Sequence, residues 1–189
     1  WPCYRAGGNI CYADTPQSIN REHAIFNADR CVAVNPSDTA PALIALDAQF
    51  VIKNGDKERV VSAEDFFIGP GINITRLTVL EHGDLLTAIR IPKTFAGKAH
   101  YFEKVRDRQV WDFPLVNIAA AMNVSGSTIN DIRMVVNAVA ATPYRLHAVE
   151  AFLKGKPRDK ATADRAADMA NADKDRSANM MSADTGGRA

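Results

Sequence analysis

Three cysteines, Cys3, Cys11 and Cys31, are the residues of this chain most able to do chemistry, and all fall in its first 31 positions. An odd count leaves a thiol over in any disulfide pairing, and independent core thiols would not cluster at one end. Thiolates converging on one centre explain both features, so a shared metal or iron–sulfur site is the first expectation. Zinc is the rival occupant, but it ordinarily uses tighter pairs such as C-x2-C. His23 shares the stretch and could supply a nitrogen ligand; it is read as a surface-loop histidine. Gly7-Gly8-Asn9, between Cys3 and Cys11, reads as loop geometry that admits positive φ.

The elements that must position such a site are sparse at the start. Residues 1–35 are rich in Gly, Asn, Asp and Pro and carry little periodicity, so a loop region is expected there. Ser37 or Asp38 then caps a helix over Thr39–Leu46, with Pro41 tolerated in the first turn. Phe50-Val51-Ile52 and Val60-Val61 flank Asn54-Gly55-Asp56-Lys57 as a β-hairpin. Ser62-Ala63-Glu64-Asp65 has the form of a capping box opening a short helix. A strand is predicted at 85–91, stopped by Pro92. Further strands are predicted at 100–106, 117–124 and 129–139, the last two joined by Ser125-Gly126-Ser127-Thr128. Leu146, Val149, Phe152 and Leu153 define an amphipathic helix closed by Gly155. From Arg158 onward Leu, Ile, Val and aromatic residues are absent. Alanine favours helix over 159–173, with little to dock it and a frayed end.

Composition narrows the function classes. The formal net charge is +1, which creates no long-range field to recruit nucleic acid or an anionic membrane. No apolar run approaches the roughly 20 residues of a membrane span. Neither nucleic acid nor membrane is therefore an expected partner.

Three stretches together carry a family resemblance. Asn35-Pro36-Ser37-Asp38-Thr39-Ala40-Pro41-Ala42-Leu43-Ile44-Ala45-Leu46-Asp47-Ala48 resembles the middle of the FAD-binding medium subunit of xanthine dehydrogenase-type molybdenum hydroxylases. Asp84-Leu85-Leu86-Thr87-Ala88-Ile89-Arg90-Ile91-Pro92 resembles that family's E-L-L-T-x-I-x-I-P strand. Tyr101-Phe102-Glu103-Lys104-Val105-Arg106-Asp107-Arg108, with Asp112, resembles its F-x-K-x-x-x-R-x-x-x-D stretch. Order and spacing agree from about residue 31 to 157.

The resemblance implies an α+β fold. Residues 1–35 would be part of an iron–sulfur loop, and 36–94 the second lobe of an FAD-binding domain with a mixed sheet. Residues 95–157 would form a C-terminal antiparallel sheet packed with helices, and 158–189 a polar tail. It places Ser37 and Asp38 near the flavin, Leu86 on the isoalloxazine face and Lys104 at the ring's polar edge. A cation at that edge stabilises the electron-rich reduced flavin on chemical grounds alone. Cys3, Cys11 and Cys31 resemble the last three ligands of the 4Fe–4S loop found in 4-hydroxybenzoyl-CoA reductase and some aldehyde oxidoreductases. The first ligand and the family's own flavin-binding Gly-Gly-Asn would belong upstream of this chain.

The implied function is electron transfer through FAD to an acceptor, after substrate oxidation at molybdopterin in a large partner subunit and passage over 2Fe–2S clusters in a small one. No catalytic acid or base for substrate is expected on this chain. The implied location is cytoplasmic, with a periplasmic complex as the alternative. A second function class stays open: a non-catalytic metal-binding or assembly module built on the cysteine loop.

Overall fold

A computed structural model of the chain describes residues 2–28 and 30–172. Helix α1 (Thr39–Ala45) is capped in an unexpected division of labour. Asp38 occupies the N-cap position without a side-chain capping bond, while the Ser37 hydroxyl accepts from the Ala40 N–H at 3.1 Å. The Asp38 carboxylate is thereby left for other partners. Asp47 leaves the helix at φ +52°, turning the chain into strand β1 (Gln49–Asn54).

β1 forms the predicted hairpin with β2 (Lys57–Ser62), whose tip Gly55 sits at φ +58°. Short helix α2 (Ala63–Phe66) follows, with the Ser62 hydroxyl accepting from the Asp65 N–H at 3.0 Å. Strand β3 (Leu85–Arg90) returns to the far edge of β1, giving the order β2-β1-β3. Both pairings are antiparallel, so the expected mixed sheet is not what forms. Residues 63–84, which include α2, carry the chain from the end of β2 across β1, so β3 runs in the direction of β2 and antiparallel to the strand between them. Asp84 fixes the start of β3: its carboxylate takes the Arg59 guanidinium at 2.5 and 3.1 Å, the Glu81 N–H at 2.7 Å and the Asn54 amide at 2.9 Å.

The second sheet is a meander of β4 (Ala99–Val105), β5 (Val116–Ser125), β6 (Thr128–Asn137) and the two-residue β7 (Tyr144–Arg145). Helices α3 (His147–Leu153) and α4 (Lys160–Ala172) follow. The Ala-rich segment was expected to find little to dock against, yet Ala166 is 7% exposed and packs with Leu146, Val149 and Leu153. Small side chains let the helix approach closely, so the poverty in large residues does not prevent packing. The expected frayed end falls outside the described residues.

One core runs through both sheets. Ile44, Ala45 and Ala48 pack with Phe50, Ile52 and Phe66 on one side and with Ala119 and Val135 on the other. Alternation along β5 turns Asn117, Ala119 and Ala121 toward the covered side. Ion pairs reinforce the seam: Arg133 Nε lies 3.2 Å from both Asp47 oxygens, and Arg145 Nη1 donates to Glu64 at 2.8 Å. Among the described residues no helix is long and apolar enough to cross a membrane.

Candidate functional site

Two groups of sequence-predicted residues come together, in two places. The first lies where the start of α1 meets β4 and β5. Lys104 Nζ donates to Asp38 Oδ2 and to the Asp112 carbonyl, each at 2.7 Å, with its side chain 16% exposed. Sixty-six residues separate Lys104 from Asp38, so only the packing of α1 on the second sheet makes this pair. Asn117 stands beside it and donates from Nδ2 to Asp38 Oδ1 at 3.1 Å and to the Ser37 carbonyl at 3.2 Å.

The loop after β4 is shaped to serve Lys104. The Asp112 carboxylate accepts the backbone N–H groups of Asp107 at 2.9 Å and Arg108 at 2.8 Å. The Arg108 backbone bond, with its guanidinium nearby, holds the Asp112 carboxyl below the usual carboxylate range. Arg108 also donates to the Trp111 carbonyl. Pinned this way, Trp111 adopts φ +55°, a left-handed conformation rare for a bulky residue, and stands 93% exposed. Arg106, just past the end of β4, folds back onto the Lys104 carbonyl at 3.2 Å.

Leu86 lies on the other sheet, on edge strand β3, and is 42% exposed. A register irregularity at Val51/Ile52 leaves Thr87 as an extra residue beside it, with its hydroxyl donating to the Val51 carbonyl at 3.2 Å. A bulge of this kind re-phases the strand's alternation and aims the side chains next to it. Leu86 is not joined to the Lys104–Asp38 hydrogen-bond network.

The second place is a cavity of about 450 Å³ lined by Cys3, Cys11 and Cys31, together with Glu22, His23 and Phe113. All three thiols are free and partly exposed. Gly7 turns at φ +81°, as the sequence reading required, and Gly8 packs so tightly that a Cβ there would stand 1.6 Å from the Pro2 carbonyl oxygen. His23 corrects its reading: it is 7% exposed, not a surface histidine, because its loop is bonded to the 31–36 segment (the Ala24 N–H donates to the Val32 carbonyl at 2.7 Å) and lines the cysteine cavity. Donor type thus fits an iron–sulfur or zinc site, but ligand geometry does not. Among the described residues no three His, Cys, Asp or Glu side chains are gathered closely enough to hold a metal ion.

Sequence reasoning missed Asn117 and Asn137, which are 1% and 0% exposed. The signal was present in both cases, a polar amide at a strand position whose parity calls for an apolar side chain. Asn137 Nδ2 donates to the Ser37 carbonyl at 2.7 Å and to Asn35 Oδ1 at 3.3 Å.

Comparison with known proteins gives a consistent assignment. A family profile described as the FAD binding domain in molybdopterin dehydrogenase matches residues 6–94, and one described as the CO dehydrogenase flavoprotein C-terminal domain matches residues 100–184. The chain is 36% identical over 155 residues to the aldehyde oxidoreductase FAD-binding subunit of Escherichia coli (strain K12), covering 80% of this chain and 46% of that one. It is 34% identical over 137 residues to the carbon monoxide dehydrogenase medium chain of Hydrogenophaga pseudoflava, covering 72% and 46% respectively. Among solved structures, carbon monoxide dehydrogenase from Hydrogenophaga pseudoflava superposes with a TM-score of 0.66 at 32% identity, covering 80% of this chain and 53% of that one. Quinoline 2-oxidoreductase from Pseudomonas putida 86 gives 0.63 at 26% identity, covering 79% and 53%. The chain spans about half the length of the curated relatives it matches, 46% in both cases given.

Proposed function

The chain belongs to the FAD-binding medium subunits of the carbon monoxide dehydrogenase and xanthine dehydrogenase family, and from this we propose that Ser37, Asp38, Leu86 and Lys104 hold FAD in an electron-transfer subunit. The observation that carries the reading is the Lys104–Asp38 contact at 2.7 Å. It joins two of the stretches that resemble the family's flavin site and leaves a cation, only partly exposed, on a fixed mount. Two of the three ammonium N–H groups are directed to Asp38 and to the Asp112 carbonyl. The third has no partner among the described residues and is available to a ligand. Leu86, apolar and accessible on an edge strand, fits the face of an aromatic ring. When bound, FAD supplies reversible acceptance of electrons from iron–sulfur clusters and their delivery to an acceptor. The chain's own residues bind and orient it, and Lys104 tunes its potential.

As in the multi-subunit relatives, the partners would be a large molybdopterin-binding subunit, where a purine, aldehyde or similar substrate is oxidised, and a small 2Fe–2S subunit. Residues 36–94 would act as the flavin-facing lobe and 95–157, with the docked α4, as the C-terminal unit, and 1–35 as the cysteine loop. The complex would be cytoplasmic, with a periplasmic complex as the alternative. A 4Fe–4S cluster at Cys3, Cys11 and Cys31, as in 4-hydroxybenzoyl-CoA reductase, rests on donor type and their shared cavity. It requires a fourth ligand and a tightening of the loop, and no electron step is routed through it.

The test is FAD titration of the full-length subunit. A stoichiometric yellow complex, weakened in Asp38→Asn and Lys104→Met, is expected. Iron loading should add broad visible absorbance that Cys11→Ser bleaches while the flavin bands remain. Metal uptake without any flavin binding would refute the flavin reading in favour of a metal-binding or assembly module.

A further inference from the structure

Lys104, Asn117 and Asn137 form one row across three strands. Lys104 is the cross-strand partner of Asn117, and Asn117 that of Asn137. Along β5 the next residues on the covered side are Ala119 and Ala121, the small apolar groups that packing against α1 calls for. Two fully buried amides in that setting are costly unless they are hydrogen-bonded, and apolar residues of similar size would pack as well.

Their donors converge on a single segment, Asn35–Asp38. Lys104 and Asn117 take one oxygen each of the Asp38 carboxylate, at 2.7 and 3.1 Å. Asn117 and Asn137 both donate to the Ser37 carbonyl, at 3.2 and 2.7 Å. Because a carboxylate and a carbonyl can only accept, the amide nitrogens must be the atoms facing them. Both Oδ1 atoms are buried with no hydrogen-bond partner among the described residues. The amides therefore stay half-satisfied, and among the described residues their side-chain donors all go to Asn35, Ser37 and Asp38.

We propose that Asn117 is a positioning residue of the flavin site, backed by Asn137, and that it acts by locking the Asp38 carboxylate against Lys104. This rests on the flavin reading above. Held from two strands, the carboxylate cannot rotate, and the ammonium it anchors is presented in one place. Ser37 frees Asp38 for this role by taking over the capping of α1.

The experiment is a double-mutant cycle on FAD affinity in the full-length subunit. Asn117→Ala should weaken binding roughly tenfold, the scale of one hydrogen bond to a charged group. In an Asp38→Asn background the same change should add nothing, because the group it acts through is already altered. Asn117→Asp keeps the side-chain volume and guards against a folding artefact. Its carboxylate would oppose that of Asp38 at neutral pH and weaken FAD binding. As pH falls and position 117 gains a proton, the variant should return toward wild type measured at the same pH. A merely structural asparagine would give additive, pH-independent losses. Additivity, or unchanged affinity in Asn117→Ala while Asp38→Asn and Lys104→Met weaken binding, overturns the positioning role alone. If neither Asp38→Asn nor Lys104→Met alters FAD affinity, the flavin reading itself fails and takes this inference with it.

Discussion

Replacing Lys104 by Met should lower the flavin potential by the full effect of the cation, because it leaves uncompensated the Asp38 carboxylate that the structure pairs with it at 2.7 Å. With an effective dielectric of about 20, a unit charge about 5 Å from the reduced ring is worth roughly 3 kcal/mol. A carboxylate about 3 Å farther away returns roughly 2 kcal/mol of that, leaving about 1 kcal/mol. For a two-electron couple this net effect is on the order of 20 mV, but Lys104→Met removes the whole of the cation's roughly 3 kcal/mol and its potential should fall by about 65 mV. Asp38→Asn uncovers the cation and should rise by about 40 mV on the same scale. The double variant should lie close to wild type. Spectroelectrochemical titration of the full-length subunit with FAD bound would measure all three. Opposite signs are the essential result. Equal signs, or an unmoved potential in Asp38→Asn with flavin retained, would show that the pair does not face the ring.

Asp84 should govern the acid limb of stability. The Arg59 guanidinium, with the Glu81 N–H and the Asn54 amide, holds its carboxyl well below the usual range. A depressed folded-state value means the stabilisation is present above the unfolded value, about pH 4, and is lost as pH falls through the lower folded one. Melting temperatures from pH 6 down to pH 2 should therefore drop below about pH 4, and Asp84→Asn should flatten that drop. Arg145→Met should destabilise the chain by about 3 kcal/mol in urea unfolding, since Glu150, 9% exposed, loses its bidentate partner. A loss below about 1 kcal/mol would show that solvent already screens the pair. Gly8→Ala must displace the Pro2–Cys3 segment, because its Cβ would stand 1.6 Å from the Pro2 oxygen. Thiol-labelling rates of Cys3 should change in that variant while those of Cys31 change less.

Local patterns carried most of the secondary structure. The Asn54–Lys57 turn, the Ser62 cap and the alternation of 117–124 with 129–139 were each legible, because a few neighbouring residues settle such features. Errors arose where the outcome depended on residues far away. His23 read as a surface residue because nothing near it in sequence announces burial, and its cavity is made by segments at residues 3, 11 and 31–36. Helix α4 looked undockable because docking depends on the shape of the helix it meets.

The candidate site divides along the same line. Residue types and order by themselves determined that Ser37-Asp38, Leu86 and Lys104 fall in family-like stretches, and that three thiols crowd one end of the chain. Tertiary structure alone decided that Lys104 is paired with Asp38, that Asn117 holds the same carboxylate, and that Asn137 holds the Ser37 carbonyl next to it. It also decided that the thiols share a cavity without forming, among the described residues, a metal-holding cluster. The physical reason is range. Capping, turns and alternation are settled within a few residues, whereas a hydrogen bond between a lysine and an aspartate 66 residues apart exists only after a helix has packed across two strands.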